Sequence, residues 1–172
     1  VPIGITRKGR WLLGTNSDKE LSSVFTNGRP VSISMEPECK GLRLLGTRSE
    51  NLEKLDVVFV VLHGTFGEDG AVQGLLELAG LPYVGAGVLG SAVGMDKDVM
   101  KRLFREAKLP IIPWLTLQRG EWRSHPEKCR RLIEKEFRYP AFIKPGNQGS
   151  SVGISQVCNR KELGPAVDLA FS

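Results

Sequence analysis

The chain has 172 residues, of which 41% are hydrophobic, 25% charged and 7% aromatic, a composition typical of soluble globular proteins with one large or two small domains. Its net charge of +5 suits an anionic ligand, but the basic residues are scattered along the sequence, which disfavours a nucleic-acid-binding surface. The three cysteines are widely spaced, which argues against a disulfide framework and favours a reducing compartment.

The sequence lacks the patterns of zinc sites, membrane spans and leader segments. No Cys-x-x-Cys or His-x-x-x-His spacing occurs, so no zinc site is predicted. There is no run of about 18 apolar residues, which a membrane-spanning helix would need. A charged-then-apolar leader is also absent, so a signal peptide is not expected.

The first predicted element is a β-hairpin, formed by residues 1–5 and 11–13 on either side of a polar turn. The sequence begins inside this strand-like run and without an initiator methionine. That beginning favours a piece of a larger protein.

A continuous apolar run over residues 56–62 predicts a strand that is covered on both faces in a parallel sheet. Residues 63–70 follow it as a loop with three glycines. Because open parallel sheets bind ligands at the carboxyl ends of their strands, this loop is a candidate site. Its His63 is either a site residue or a strand-end histidine satisfied by the local backbone.

A helix and a second strand complete this unit. Residues 71–79 have apolar side chains at roughly helical spacing, with Glu68 and Asp69 assigned to capping and loop structure, and residues 81–84 form a short strand. The order strand, loop, helix, strand predicts a βαβ unit and an α/β fold. The glycine-dense residues 85–94 are interpreted as a connector packed against the sheet.

A second unit opens with a helix predicted over residues 97–108, which Asp96 can cap. Lys97 lies in the first turn, where the helix dipole disfavours a cation by a few tenths of a kcal/mol. The lysine therefore either contacts a bound anion or is a solvated side chain tolerated at small cost.

Two more elements are predicted before the next glycine-rich stretch. Residues 114–117 predict a strand. Ser124 and Glu127 match a capping box that opens a helix to about residue 137, which makes His125 an exposed residue of the first turn. Near the end of the sequence, Asn159 is expected to cap a last helix, which Pro165 either starts or kinks.

The sequence around Lys144 has the pattern of an anion-binding loop. Residues 141–143 predict a short strand that ends at Lys144, and this lysine is followed by Pro145, Gly146, Gly149 and Gly153. Glycines permit positive φ and close backbone approach, so successive N–H groups can face an anion. The lysine precedes the glycines, which excludes a Walker A loop. The alternative is a tight hairpin with a solvated lysine at its base.

Three motifs occur in order: His-Gly-Thr-Phe-Gly-Glu-Asp-Gly over residues 63–70, Gly-Ala-Gly-Val-Leu-Gly-Ser-Ala-Val-Gly-Met-Asp-Lys over residues 85–97, and Lys-Pro-Gly-Asn-Gln-Gly-Ser-Ser-Val-Gly-Ile-Ser over residues 144–155. Together they resemble the D-alanine–D-alanine ligases of the ATP-grasp superfamily, and the resemblance runs from end to end. It implies a Rossmann-like parallel-sheet domain (pre-ATP-grasp) over residues 1–94. The first α+β sub-domain of an ATP-grasp fold would follow over residues 95–172.

Ligases of this family phosphorylate the carboxylate of one D-alanine with ATP, and the amine of a second D-alanine then displaces phosphate from the acyl phosphate. Each step moves negative charge, so preorganised donors and metal ions are expected. By resemblance, Lys97 and Lys144 would contact the nucleotide phosphates, and His63 would sit beside the first D-alanine. Ser150 would also reach the substrate side. The loop that closes over the terminal phosphates would consist of Gly149, Ser150, Ser151, Val152 and Gly153.

The resemblance also implies parts that these residues lack. A strand and a glycine-rich turn with a substrate-binding glutamate would precede Val1. The adenine-contacting hinge, a mobile loop, an arginine of the oxyanion site and the Mg²⁺ ligands would follow Ser172. No metal ligand is therefore predicted within the chain, and the 172 residues alone are expected not to catalyse ligation.

The implied small-molecule partners are D-alanine and ATP, with Mg²⁺ as the metal. The resemblance further implies a cytoplasmic homodimer that serves peptidoglycan precursor synthesis and binds neither nucleic acid nor membrane. Two alternatives stay open. A D-alanine–D-lactate ligase is one, because the second-substrate residues would lie beyond Ser172. A non-catalytic nucleotide-binding module is the other, and His63 at a strand end argues against it.

Overall fold

The computed structural model describes residues 1–15, 21–46 and 52–172. Contacts within the chain group them into two compact units: a first unit of residues 1–60 and 73–85, and a second unit of residues 61–72 and 86–172. This grouping assigns residues 86–94 to the same unit as the later part of the chain. The predicted domain boundary between residues 94 and 95 stays a prediction. None of the helices described is long and apolar enough to cross a membrane.

The first unit contains an antiparallel sheet of five strands in sequence order. The predicted hairpin of residues 1–13 is confirmed, because Gly4 of the first strand pairs with Leu12 of the second. Leu13, Val31 and Leu42 are buried at the centre of the sheet's core. Helix α1 (Leu21–Asn27) packs against the first two strands. The strands are β1 (Ile3–Ile5), β2 (Trp11–Leu13), β3 (Arg29–Ile33), β4 (Gly41–Leu44) and β5 (Leu52–Lys54).

The βαβ unit consists of β6 (Val58–Phe59), α2 (Ala71–Leu78) and β7 (Tyr83–Val84), and its two strands pair in parallel. The mixed α/β prediction is confirmed. The prediction of a strand over residues 56–62, covered on both faces, is wrong: only two residues form β6, and Phe59 is 71% exposed. Among the described strands β6 pairs with β7 alone, and the exposure of Phe59 shows that its side of this short pair has no covering layer.

The second unit is built from helices around one antiparallel strand pair. Its core consists of Trp122, Cys129, Ile133, Val157, Leu163, Ala166 and Val167. The helices are α3 (Val88–Met95), α4 (Lys97–Glu106), α5 (Arg119–Ser124), α6 (Pro126–Glu136) and α7 (Arg160–Ala170), and the paired strands are β8 (Ala141–Ile143) and β9 (Ser155–Val157).

Three local predictions for this part of the chain are wrong. Residues 88–95 of the expected connector form helix α3, because the glycines there are compatible with a helical turn. Ser124 is the last residue of α5, so His125 rather than Ser124 occupies the cap position of α6, without a side-chain capping bond. Residues 114–117 pair with no strand described, since the indole N–H of Trp114 and the hydroxyl of Thr116 bond to Asp98 of α4 instead.

Two helix starts are confirmed. Asp96 caps α4, and its side chain accepts hydrogen bonds from the backbone N–H groups of Asp98 and Val99. Asn159 caps α7 in the same manner. Pro165 lies inside α7, so that helix begins before the proline rather than at it.

Candidate functional site

Two loops of the second unit approach each other through their backbones. We call residues 63–70 the histidine loop and residues 144–153 the glycine loop. A Cβ atom added to Gly149 would lie 3.1 Å from Cα of Gly64. A Cβ atom added to Gly64, whose φ is +75°, would lie 3.8 Å from Oγ of Ser150. The absence of a side chain at Gly149 therefore permits this close approach, and the positive φ of Gly64 is one that glycine adopts readily.

The first residue of α4 joins the glycine loop at two points. The backbone N–H of Lys97 donates to the carbonyl of Gly146 at 2.8 Å. The ammonium of the same residue donates to the carbonyl of Gln148 at 2.6 Å. Because Asp96 already accepts from the next two backbone N–H groups of the helix, the start of α4 has partners for all three donors. Lys97 is thus fixed against the loop.

Lys97 and Lys144 form a positive centre beside this loop. Partial burial, and then repulsion from the nearby Lys144, lower the pKa of Lys97, while Asp96 opposes the shift. Lys144 extends from the end of β8, with its ammonium 5.8 Å from the ring centre of Phe142. Within residues 1–15, 21–46 and 52–172, neither ammonium belongs to an ion pair. Two cations that repel each other, neither of them in an ion pair, favour the binding of an anion.

The glycine loop contains three residues in the left-handed region. Ser150 has φ of 53°, Ser151 has 61° and Gly153 has 69°. Non-glycine residues adopt this region at some cost, and such residues cluster at binding sites. The turn is closed by the N–H of Val152, which donates to the carbonyl of Gly149 at 3.2 Å. Turns of this kind present backbone N–H groups to anions.

The histidine loop is closed by Glu68. Its Oε2 accepts a hydrogen bond from the N–H of Gly64 at 2.6 Å, and its Oε1 lies 4.0 Å from Nδ1 of His63. The side chain of His63 is 76% exposed, so its imidazole is accessible to a ligand. Asp69 makes the capping contact at α2, where it accepts from the N–H of Ala71 at 3.0 Å.

All the predicted site residues therefore belong to the second unit. Lys97 contacts the glycine loop directly. His63 is adjacent in sequence to Gly64, which lies against the same loop. The roles assigned to these residues stay predictions. Sequence reasoning missed the contact of Glu68 with Gly64, because a carboxylate that turns back four residues inside a loop has no sequence pattern. Among the residues described, no three His, Cys, Asp or Glu side chains form a group that could hold a metal ion.

Both halves of the chain match the same family in sequence. The family description "D-ala D-ala ligase N-terminus" matches residues 1–86, and "D-ala D-ala ligase C-terminus" matches residues 103–172. A D-alanine–D-alanine ligase of Natranaerobius thermophilus is 46% identical over 172 residues, which are 99% of this chain and 47% of that protein. A D-alanine–D-alanine ligase of Bacillus velezensis is 44% identical over 180 residues, covering 99% of this chain and 49% of that protein.

Solved structures agree with the sequence matches. The VanG D-Ala:D-Ser ligase from Enterococcus faecalis superposes with a TM-score of 0.81 at 38% identity, over 99% of this chain and 49% of that one. The D-alanine–D-alanine ligase from Coxiella burnetii superposes with a TM-score of 0.80 at 36% identity, over 98% of this chain and 49% of that one. The predicted ATP-grasp ligase fold is thereby confirmed, and the chain spans about half the length of the curated relatives that it matches. From both sequence and fold, the chain belongs to the D-alanine–D-alanine ligase family.

Proposed function

We propose that the protein carrying this chain is an ATP-dependent ligase that joins two D-alanines into D-alanyl-D-alanine for peptidoglycan precursor synthesis. The supporting observation is the position of two ammonium groups, Lys97 and Lys144, beside a loop with left-handed residues. The relatives named D-alanine–D-alanine ligase indicate which reaction such a site would serve.

ATP is the anion that this part of the chain would bind. Lys97 and Lys144 would balance the charge of its phosphates. The backbone N–H groups of residues 149–151 and 153 would donate to the terminal phosphates, while that of Val152 closes the turn. The donor set fits, because phosphoryl transfer depends mainly on positioned cations and hydrogen-bond donors. The lowered pKa of Lys97 supports this role, since a bound anion would relieve the repulsion between the two lysines.

Ser150 and His63 would act on the side of the first D-alanine. The Ser150 hydroxyl is close to Gly64, which is the residue next to His63 in the histidine loop. This proximity supports a shared role for the two side chains at the carboxylate that becomes phosphorylated. Both side chains would orient that carboxylate toward the phosphate held by the glycine loop, so that the reacting atoms are already close and aligned.

Magnesium, a homodimeric assembly and a cytoplasmic location complete the proposal. The described residues offer no three-residue metal group, so no step that depends on Mg²⁺ is assigned to them. The use of ATP and the free state of Cys39, Cys129 and Cys158 support the cytoplasm. The dimer rests on the family resemblance, and light scattering of the purified protein would test it.

The full gene-encoded protein, supplied with ATP, Mg²⁺ and D-alanine, should release phosphate and form the dipeptide, as detected by mass spectrometry. D-lactate and D-serine, offered as the second substrate, would identify a ligase of either of those kinds. D-serine is included because one solved relative is a D-Ala:D-Ser ligase. Binding of ATP without phosphate release under any of these conditions would overturn the proposal in favour of a nucleotide-binding module.

A further inference from the structure

One residue anchors the glycine loop from outside. Lys97 donates its backbone N–H to the carbonyl of Gly146 and its ammonium to the carbonyl of Gln148. The loop's own closing bonds are longer: Val152 donates to Gly149 at 3.2 Å and Ile154 to Ser151 at 3.4 Å. The contacts with α4, at 2.8 Å and 2.6 Å, are therefore shorter than the closing bonds and attach the loop to another element.

The two bonds from Lys97 differ in kind. The backbone N–H lies at the helix start, where it would lack a partner without the carbonyl of Gly146. Its position follows from the Asp96 cap and does not require a lysine side chain. The ammonium bond to Gln148 does require one, and a charged donor makes a stronger hydrogen bond than a neutral donor. Replacing the side chain would thus remove the second bond and keep the first.

The charged form of the Lys97 ammonium is disfavoured by its surroundings. Burial and Lys144 both disfavour its charge, and only Asp96 favours it. In the described part of the chain it has no ion-pair partner, so the carbonyl of Gln148 is its principal acceptor. Gln148 lies two residues before Ser150, where the left-handed turn begins. A constraint at Gln148 therefore acts directly on the conformation of that turn.

We propose that Lys97 is a positioning residue for the glycine loop: without any nucleotide, its ammonium holds the carbonyl of Gln148 and so keeps the turn at Ser150 and Ser151 formed. This role goes beyond contact with phosphate, because it concerns the ligand-free protein. A turn that is already formed loses less conformational freedom when an anion binds. Lys144, whose ammonium lies over Phe142, has no such role.

The test is hydrogen exchange of the full gene-encoded protein without nucleotide, followed at the amide of Val152. Lys97→Met should speed this exchange by about tenfold or more, because a charged hydrogen bond that holds the turn is lost. Lys97→Arg keeps a charged donor and should restore slow exchange. Lys144→Met, a matched loss of one ammonium, removes a charge that repels Lys97 and should not speed exchange.

Three outcomes would overturn the proposal. They are unchanged exchange in Lys97→Met, an equal increase in Lys144→Met, and a similar increase at the core amides of Ile133 and Val167, which would show a general loss of stability. No substrate enters the experiment. A protein that makes no dipeptide can therefore still pass it, and an active ligase can still fail it.

Discussion

The five-stranded sheet of the first unit and the glycine loop of the second are held in different ways. In the sheet, each strand is paired to its neighbour in register, and the side chains of Leu13, Val31 and Leu42 fill a shared core. In the loop, the conformation depends on a few contacts: two bonds from Lys97, the closing bond between Val152 and Gly149, and one backbone approach to Gly64. Substitutions in the sheet should therefore change stability, and those in the loop should change ligand binding or turnover.

The largest expected effect is on the sheet. Leu42→Ala removes a side chain that is 0% exposed, and the cavity should lower the free energy of unfolding by about 2–5 kcal/mol. Denaturant unfolding of the purified protein measures this change. The matched control is Leu45→Ala, at a site that is 53% exposed, which should change the same quantity by less than about 0.5 kcal/mol. Equal effects of the two variants would mean that the sheet core does not carry the stability.

The next prediction concerns the approach of the two loops. In Gly149→Ala the new methyl group would meet the backbone of Gly64 at 3.1 Å, so the loops must move apart. We expect turnover to fall by about 10- to 100-fold, because small misplacements are costly in catalysis. Gly146→Ala is the control, since a Cβ atom there has no neighbour within 4 Å. The kcat of both variants, measured beside their unfolding midpoints, decides whether the contact serves catalysis.

Substitutions of Lys144 and Ser150 should separate binding from turnover within the glycine loop. Lys144→Ala should weaken ATP binding by about tenfold, because the proposed contact of its ammonium with phosphate would be lost. Ser150→Ala should lower kcat more than it weakens ATP binding, if the hydroxyl acts at the D-alanine. Calorimetric ATP titration and steady-state kinetics provide the two quantities, with Lys135→Ala of α6 as the control for loss of a surface charge. The reverse pattern would contradict both roles.

The smallest expected effect lies at the other side of α4. Hydrogen bonds from Thr116 first, then Trp114 and Arg102, hold the pKa of Asp98 below its ordinary value of 3.8. A lowered carboxyl pKa adds stability above the ordinary value, and that stability is lost as the pH falls through the folded-state pKa. Asp98→Asn should therefore cost about 1 kcal/mol of unfolding free energy at pH 7.

The pH dependence tests that interpretation. The difference in unfolding free energy between wild type and Asp98→Asn should begin to shrink as the pH falls below about 4, where the unfolded chain takes up a proton. It should shrink until the pH has passed through the lower folded-state pKa of Asp98, where the native carboxyl also becomes neutral. Asp56→Asn replaces an exposed aspartate, so its unfolding free energy should differ less from that of the wild type, both at pH 7 and at pH 3. If the difference in unfolding free energy between wild type and Asp98→Asn stayed constant from pH 7 to pH 3, the effect would come from packing and not from charge.

The comparison also explains what could be predicted from sequence. The caps at Asp96 and Asn159 were predicted correctly, because capping depends on adjacent residues. The glycine loop was recognised because proline and glycine act locally. The five-stranded sheet was not predicted as a whole, since its strands have three to five residues and their pairing depends on distant partners.

The failures have the same physical origin. Residues 56–62 have the composition of a buried strand, but burial is decided by neighbours that composition does not specify. The glycines of helix α3 lower helix propensity and so predict a connector, but the context of the folded chain overrides that preference. The bond of Glu68 to Gly64 joins two residues of one loop through a turn whose shape no local pattern encodes.

The meeting of Gly64 and Gly149 sets a minimum separation that ordinary substitution cannot shorten. Neither residue has a side chain to remove, so the contact between their backbones limits how near the histidine loop comes to the glycine loop. Variants can widen that gap but cannot narrow it. A closer approach of the two loops would have to come from a change in loop length or from residues elsewhere in the second unit.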